Sequence, residues 1–343
     1  MHISKFGHDT FSVLVKCMTY NQYSFIEDAM NGFCMQKTDF PYVCVVMDDS
    51  STDGEQDVIK KYVQERFLPI TDEETDDYVL HYCNHKTNKN CYFAVYYLKY
   101  NHYWTDKNRK NSYLTKLQDT CKYIAICEGD DYWTDENKLQ MQVDFLENHN
   151  EYSACFHNVL IHKVQEKKIV NNYIFRDVPE DLDVVELAKS FCIPTCSFIY
   201  RNDSTIQSKL QMLGRMPFGD YSLELFCAEK GKIKKIMDKL GVYRIGCGIN
   251  TSTFDNPYKN FERYLQDYMA MAKLWMALDN IEAKKAMQKH LEDDENMIKN
   301  LYKNALQQAD EYTRLNNISK SFSYKLGKLL TSPFRWIRKI FHK

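Results

Sequence analysis

The first third of the chain alternates between apolar runs and amphipathic stretches. Residues 11–15 and 42–47 are almost entirely apolar, which is typical of strands buried on both faces of a sheet. Ser24 and Glu27, after the first run, have the spacing of a helix capping box. After the second run, a predicted helix has an apolar face made of Val58, Ile59, Tyr62 and Val63. This alternation predicts βαβ units and therefore a mixed, mainly parallel sheet.

The later segments extend this prediction. Residues 69–122 are rich in Tyr, Asn and Lys, and they predict one or two strands and a long loop around residues 101–111. An apolar strand is predicted at residues 123–127 and a helix over about residues 136–147. Residues 152–243 have a mixed α/β pattern.

From residue 257 onward the apolar spacing is helical, without a strand-like run. We therefore predict an α/β domain over residues 1–255 and a helical C-terminal extension over residues 256–343.

Composition narrows the class of protein. The 343 residues are 44% hydrophobic and 27% charged, with a net charge of −2, which suits a globular protein and argues against a nucleic-acid-binding surface. No signal peptide and no apolar run long enough for a transmembrane helix is predicted. The twelve cysteines are scattered without a Cys-x-x-Cys pair, so we expect reduced, structural thiols in a cytoplasmic protein.

Two pairs of acidic residues follow predicted strands. Asp48 and Asp49 come after one apolar run, and Asp130 and Asp131 come after another. Ligands bind at the carboxyl ends of strands in open α/β sheets, and clustered carboxylates suit a divalent cation. The alternative is that these aspartates only terminate strands in turns.

The spaced combination of motifs resembles a known family. The sequences TYNQ at residues 19–22, MDDSSTDG at 47–54 and ICEGDDYWTD at 126–135, followed by KLQ at 138–140, resemble the inverting glycosyltransferases of family two. The form is that of the branch that builds bacterial surface polysaccharides. The resemblance covers roughly residues 10–250 and implies a GT-A-like domain that binds a nucleotide sugar.

The resemblance also implies roles for individual residues on the donor side. Thr19 and Tyr20, followed by Asn21, would border the nucleoside, and Asp48 or Asp49 would accept a hydrogen bond from the base. Asp130 would lie near the ribose, and Asp131 would coordinate Mn²⁺ or Mg²⁺ at the diphosphate. The loop residues Lys107, Arg109 and Lys110 would help to hold phosphate oxygens, unless they form a solvated basic loop.

On the acceptor side, the segment around Asp220 resembles the position of the family's general base. The alternative is that Asp220 is a helix N-cap. Glu224 is the reserve candidate, although it could simply face solvent. The hydroxyls of residues 193–198 would contact acceptor sugar or satisfy local backbone groups. His157 also matches a family position, but we expect a core or loop histidine there and assign it no function.

One departure concerns the metal. The sequence GVYRI at residues 241–245 matches the family, but Gly246-Cys247-Gly248 stands where many relatives have a histidine. The metal would then be held largely by Asp131, with diphosphate and water completing its coordination.

The C-terminal tail has a distinct composition. From Tyr312 to Lys343 there is no acidic residue, and Lys and Arg alternate with Phe, Leu, Ile and Trp. This mixture favours an interfacial helix on anionic lipid, and Pro333 would kink or divide that helix. A helix docked on the protein itself or on a partner subunit is the alternative. The membrane interpretation predicts a peripheral protein on the inner face of the cell membrane.

Together these observations predict inverting, metal-assisted transfer of a sugar from a nucleotide diphosphate donor to a hydroxyl of a glycan or lipid-linked acceptor. A sugar nucleotidyltransferase is a second hypothesis, but residues 17–21 lack the glycines that would cradle a triphosphate. A third is a catalytically silent nucleotide-sugar-binding assembly protein.

Overall fold

A computed structural model describes residues 10–105, 107–171, 177–189, 191–214, 216–247 and 257–316. The strands are β1 (Phe11–Thr19), β2 (Tyr42–Asp48), β3 (Phe67–Glu74), β4 (Tyr78–His85), β5 (Cys91–Leu98), β6 (Cys121–Ile126), β7 (Tyr132–Trp133), β8 (Tyr152–Lys163), β9 (Lys168–Val170), β10 (Asp181–Leu182), β11 (Ile199–Arg201) and β12 (Lys232–Ile245). The helices are α1 (Ile26–Cys34), α2 (Glu55–Arg66), α3 (His102–Thr105), α4 (Lys107–Gln118), α5 (Lys138–Asn148), α6 (Val184–Leu187), α7 (Ser204–Leu213), α8 (Gly219–Lys230), α9 (Pro257–Ala277) and α10 (Ile281–Asn316). A 3₁₀ turn spans Thr195–Ser197.

One mixed sheet runs through the molecule in the order β10-β12-β8-β11-β6-β1-β2-β5-β4-β3. The four neighbouring strands β6, β1, β2 and β5 are parallel, and so is the pair β8 and β12. Strand β11 joins these two groups in antiparallel orientation. The hairpin β3-β4 extends the other edge. The carboxyl ends of three parallel strands, β6, β1 and β2, consequently lie side by side.

The central strands are buried on both faces, which explains their uninterrupted apolar runs. In β2, Val43 and Val45 enter one hydrophobic cluster, whereas Cys44 and Val46 enter the cluster on the opposite face. The C-terminal helices pack on the first of these faces and contribute Tyr268, Leu274, Leu278, Ala283, Met287, Leu291 and Ile298 to its core. The predicted helical extension thus shares a core with the sheet.

Two local predictions were wrong. The capping box does not form, because α1 begins at Ile26 and no side chain caps it. The long loop predicted around residues 101–111 is instead helical. Its first helix, α3, begins where the carboxylate of Asp49 accepts the backbone N–H groups of His102 and Tyr103. A cap supplied from a different strand leaves no local sequence signal.

The cysteines are free thiols, as predicted. Eleven are buried and Cys247 is half-buried. Burial raises the pKa of most of these thiols, including Cys17 and Cys127, so they behave as small apolar side chains.

Among the described helices, none combines the length and the apolar character needed to cross a bilayer. The predicted basic tail lies almost entirely in residues 317–343, outside the described part of the chain.

Candidate active site

The parallel register brings the predicted donor-side residues to one edge of the sheet. Thr19, the last residue of β1, pairs with Asp48, the last residue of β2. On the other side of β1, the N–H of Gly129 donates to the carbonyl of Met18 at 3.2 Å. The loops after β1, β2 and β6 are therefore neighbours, as expected for a site at the carboxyl ends of parallel strands.

A buried carboxylate joins two of these loops. Glu55, the first residue of α2, contacts the hydroxyl of Thr19 and accepts the N–H of Gln22 at 2.8 Å and the hydroxyl of Ser51 at 2.9 Å. Burial raises the pKa of Glu55, and these hydrogen bonds oppose the rise. The sequence analysis missed Glu55, because a glutamate at the start of an amphipathic helix is normally exposed.

Asn21 braces the same loops. It has a left-handed backbone with φ of 54°, its side-chain oxygen accepts the N–H of Thr52 at 2.8 Å, and its own N–H donates to Ser51 Oγ at 2.9 Å. Thr19 is buried and Tyr20 is half-buried. The side chains of Thr19 and Asn21 thus shape the loops that border the site.

The two aspartates after β2 have different surroundings. Both oxygens of Asp49 are occupied, by the backbone of α3 and by the ammonium of Lys110 at 2.9 Å. Asp48 uses only Oδ2, which accepts from Ser51 N at 3.1 Å and Gln56 Nε2 at 2.5 Å. Its Oδ1 is buried and has no hydrogen-bond partner among the described residues. Burial raises the pKa of Asp48.

The predicted phosphate-binding residues are engaged with acidic side chains. Lys110 is buried against Asp49, and Arg109 pairs with Asp77 in the turn between β3 and β4. The side chain of Lys107 lies outside the described part of the structure. Residues of α4 therefore brace the wall of the site through ion pairs.

The acidic motif after β6 is held from β12. The carboxylate of Asp131 is buried and accepts the backbone N–H of Arg244 at 2.7 Å. The guanidinium of Arg244 donates to the carbonyl of Asp130 at 2.8 Å and lies over the ring of Tyr132, 4.4 Å from its centroid. In the sequence Arg244 is only part of a motif that matches the family. Its contacts with residues more than a hundred positions away cannot be predicted from residue spacing.

Like charges concentrate in this motif. Burial raises the pKa of Asp131 well above its usual range, and the neighbouring Asp130 raises it further. Burial likewise raises the pKa of Glu128, to about 7. Hard oxygen donors under mutual repulsion fit a divalent cation. Among the described residues no three His, Cys, Asp or Glu side chains converge as a metal centre.

Gly129 permits close packing within the motif. A Cβ at this position would lie 2.3 Å from Gln22 Oε1 and 2.4 Å from Thr19 Oγ1. The loop carrying the acidic residues can therefore approach the end of β1 only because residue 129 has no side chain.

One short turn connects the two predicted ends of the site. Thr195 donates its hydroxyl to Asp220 Oδ2 at 3.2 Å. The adjacent Cys196 lies near Asp131: burial, and then the charge of Asp131, raise the pKa of the Cys196 thiol. Tyr243 lies near both acidic groups. Burial raises the pKa of its phenol most, and the charges of Asp131 and Asp220 raise it further. The predicted base and metal-side aspartate thus border one region.

Asp220 is exposed in the first turn of α8 and is not its N-cap, because Phe218 occupies that position and no side chain caps the helix. The cap alternative is therefore wrong. Glu224, one turn later, is buried rather than solvent-facing. Burial raises the pKa of Glu224 well above its usual range, and Asp220 adds to this, so its surroundings disfavour the ionised form.

Comparison with known proteins gives a family match for one segment of the chain and relatives for a larger part of it. Residues 15–96 match the model of glycosyl transferase family 2. An uncharacterised protein of Mycobacterium tuberculosis and one of Mycobacterium bovis are each 29% identical over 230 residues, which is 66% of this chain. The chain spans 57% of the length of these relatives.

The solved structure of S. aureus TarS 1-349 in complex with UDP superimposes with a TM-score of 0.52 at 16% identity. The match covers 82% of this chain and 70% of that one. The α/β, GT-A-like fold with C-terminal helices is therefore confirmed. The family match covers residues 15–96, and the likeness to TarS concerns the fold.

Proposed function

We propose that this protein is an inverting, metal-assisted glycosyltransferase that uses a nucleotide diphosphate sugar. Its acceptor would be a hydroxyl of a glycan or lipid-linked precursor in bacterial surface-polysaccharide synthesis. The observation that supports this proposal is the turn Thr195–Ser197. Thr195 donates its hydroxyl to Asp220 Oδ2 at 3.2 Å, and burial, followed by the charge of Asp131, raises the pKa of the neighbouring Cys196 thiol. The proposed proton acceptor and the proposed diphosphate-side carboxylate would then both lie near this turn.

The donor side would bind the nucleotide at the edge formed by β1 and β2. Asp48 is the better candidate for accepting a hydrogen bond from the base, since its buried Oδ1 has no partner among the described residues, while Asp49 is saturated. The binding of UDP by the similarly folded TarS supports a nucleotide diphosphate ligand. The identity of the nucleotide is a matter for experiment.

The acceptor side would supply the base. Asp220 lies in the first turn of α8, where the helix dipole favours the ionised carboxylate. It would take the proton of the acceptor hydroxyl while that oxygen bonds to the anomeric carbon and the bond to the diphosphate breaks. The Thr195 hydroxyl would orient Asp220 for this transfer.

Asp131, with Asp130 beside it, would hold Mn²⁺ or Mg²⁺, which supplies Lewis-acid stabilisation of the leaving diphosphate. Arg244 would keep both acidic residues in place through its backbone N–H and guanidinium. The protein's own contribution to this step is the rigid presentation of the acidic motif.

We further propose that residues 1–255 form the catalytic domain and that residues 256–343 form an extension whose basic end associates with anionic lipid. That arrangement would bring the site to a lipid-linked acceptor at the cell membrane.

Two substitutions test the proposal on the full chain. A panel of UDP- and GDP-sugars first identifies a donor by its slow hydrolysis. Asp220→Asn should bind that donor nearly as well as the parent, yet transfer should fall by about 10²- to 10⁴-fold, the usual contribution of a general base. Asp131→Asn should instead weaken donor binding, and excess chelator should do the same to the parent.

Asp119→Asn is the matched control. Asp119 is exposed and directly follows α4, so this variant should behave as the parent. A folded Asp220→Asn protein with normal transfer would remove Asp220 from the mechanism and redirect attention to Glu224. Full turnover in chelator would refute the metal. Donor binding without hydrolysis or transfer would favour the silent binding protein.

A further inference from the structure

Three buried polar atoms behind the acidic motif lack hydrogen-bond partners among the described residues. They are Lys138 Nζ, Gln142 Oε1 and His157 Nε2. Each of the three residues is completely buried. Buried polar atoms are nearly always satisfied by protein or by ordered water, so three in one region call for a common explanation.

These residues lie on two elements that pack together. Lys138 and Gln142 are four residues apart on α5 and share a helix face. Helix α5 packs on β8, where the Cys155 thiol donates to the Gln142 carbonyl. His157 lies two residues beyond Cys155 and on the same face of that strand.

Trp133 lies beside two of the three side chains, Lys138 and His157. Lys138 Nζ lies 3.7 Å from the centroid of the Trp133 ring. His157 Cε1 and Trp133 Cδ1 are each 3.4 Å from the point where a Cβ on Gly241 would lie. His157 also lies near Lys138. Burial, and to a smaller extent the Lys138 ammonium, lower the pKa of the His157 ring to about 3. The imidazole is therefore neutral at physiological pH.

The hydrogen-bonding role of each atom can be deduced. His157 Nδ1 lies 2.8 Å from the carbonyl of Asn158. A carbonyl only accepts, so Nδ1 carries the proton and Nε2 is an acceptor. Gln142 Nε2 donates to the carbonyl of Ser197 at 2.9 Å, which identifies Oε1 as the other acceptor. Lys138 Nζ is a donor. The set comprises two acceptors and one donor.

We propose that Lys138, Gln142 and His157 form an internal binding site for a water molecule. The water donates to Gln142 Oε1 and His157 Nε2 and accepts from Lys138 Nζ. A water has two protons to donate, which the two acceptors require, and lone pairs that accept from Lys138, whereas a halide ion has no proton. A metal cation would leave the N–H groups of Lys138 without an acceptor. Buried waters typically make about three hydrogen bonds.

The site also gives Lys138 a positioning role, which rests on the proposed function. Lys138 covers the face of Trp133, and Trp133 Nε1 donates to the carbonyl of Cys196 at 2.7 Å. Gln142 holds the next carbonyl, that of Ser197. The water therefore braces the turn whose Thr195 hydroxyl donates to Asp220 and whose Cys196 lies near Asp131.

The water is tested first on the parent protein. A crystal structure at about 1.8 Å or better should contain a water about 2.7–3.2 Å from all three atoms. Nitrogen-15 NMR of the imidazole should report the Nδ1–H tautomer of His157. Direct contacts among the three side chains, a dry site, or the Nε2–H tautomer would each overturn the proposal.

The positioning role is tested with Lys138→Met, which retains the apolar stem and removes the donor. Mn²⁺ binding, followed by the electron paramagnetic resonance of the free ion, should weaken by about 10- to 100-fold, as when other outer-shell partners are removed. Lys61→Met is the control on an exposed helix face, its side chain being 76% accessible, and should bind Mn²⁺ as the parent does.

The outcomes separate the two ideas. Water present with unchanged Mn²⁺ affinity in a folded Lys138→Met protein would retain the water site and refute the positioning role. A parent that binds no Mn²⁺ would refute the proposed metal, and the positioning role with it, while the crystal structure still decides the water. If Lys138→Met does not fold, the parent crystal structure and the His157 tautomer decide whether the water is bound.

Discussion

Replacing Gly129 by alanine tests whether the acidic motif depends on its close approach to β1. The added methyl group would meet Gln22 Oε1 at 2.3 Å, Thr19 Oγ1 at 2.4 Å and Thr19 Cβ at 2.8 Å. Gln22 has a flexible side chain that can move. Thr19 is buried, and its hydroxyl is committed to Glu55.

The cost can be worked from these contacts. Relief of the overlap requires a shift of about 1 Å, since nonbonded atoms pack at about 3.5–4.0 Å. Overpacking of this kind costs about 1–3 kcal/mol, and loss of the Thr19 hydrogen bond adds about 1 kcal/mol. We therefore expect Gly129→Ala to lose about 2–4 kcal/mol of unfolding free energy and to bind UDP at least about 10-fold more weakly.

Urea unfolding followed by circular dichroism measures the stability, and calorimetry with UDP measures the binding. Gly219→Ala is the matched control, because a Cβ there meets nothing within 4 Å and should change stability by no more than about 0.5 kcal/mol. If Gly129→Ala is within about 1 kcal/mol of the parent and binds UDP normally, the reasoning from close packing is refuted.

Three further predictions concern separate parts of the molecule. Asp49→Ala should destabilise the protein by about 3–5 kcal/mol, because it leaves Lys110 buried without its counter-ion. Asp48→Ala should mainly weaken UDP binding. If the two variants lose the same stability in urea unfolding and the same UDP affinity in calorimetry, these different roles are contradicted. Burial lowers the pKa of Lys138 to about 7, so the unfolded chain binds more protons than the folded chain between pH 7 and 10. The free energy of unfolding of the parent should therefore rise with pH by up to about 1.4 kcal/mol per pH unit relative to that of Lys138→Met. A difference between the two proteins that stays constant in urea unfolding across that pH range would argue against this prediction. Truncation after Asn317 should leave donor hydrolysis intact and abolish co-sedimentation with anionic vesicles at low salt, since each basic residue contributes about 1 kcal/mol to membrane binding. A full-length protein that does not bind such vesicles would instead favour a tail docked on protein.

Much of the scaffold was already present in the sequence. The runs at residues 11–15 and 42–47 predicted central strands because a strand buried on both faces must be apolar at successive positions. The acidic pairs after strands predicted where a site would lie, because the carboxyl ends of parallel strands share an edge. These inferences use only local periodicity and chain direction, and both are properties of a linear sequence.

Tertiary structure decided what the individual side chains do. Asp48 and Asp49 are adjacent and chemically identical in the sequence, yet only Asp49 is saturated, by α3 and Lys110. Glu55 and Arg244 entered the site through contacts with distant segments. Burial and hydrogen bonding depend on which segments meet in space, and a pattern of residue types along the chain carries no measure of those meetings.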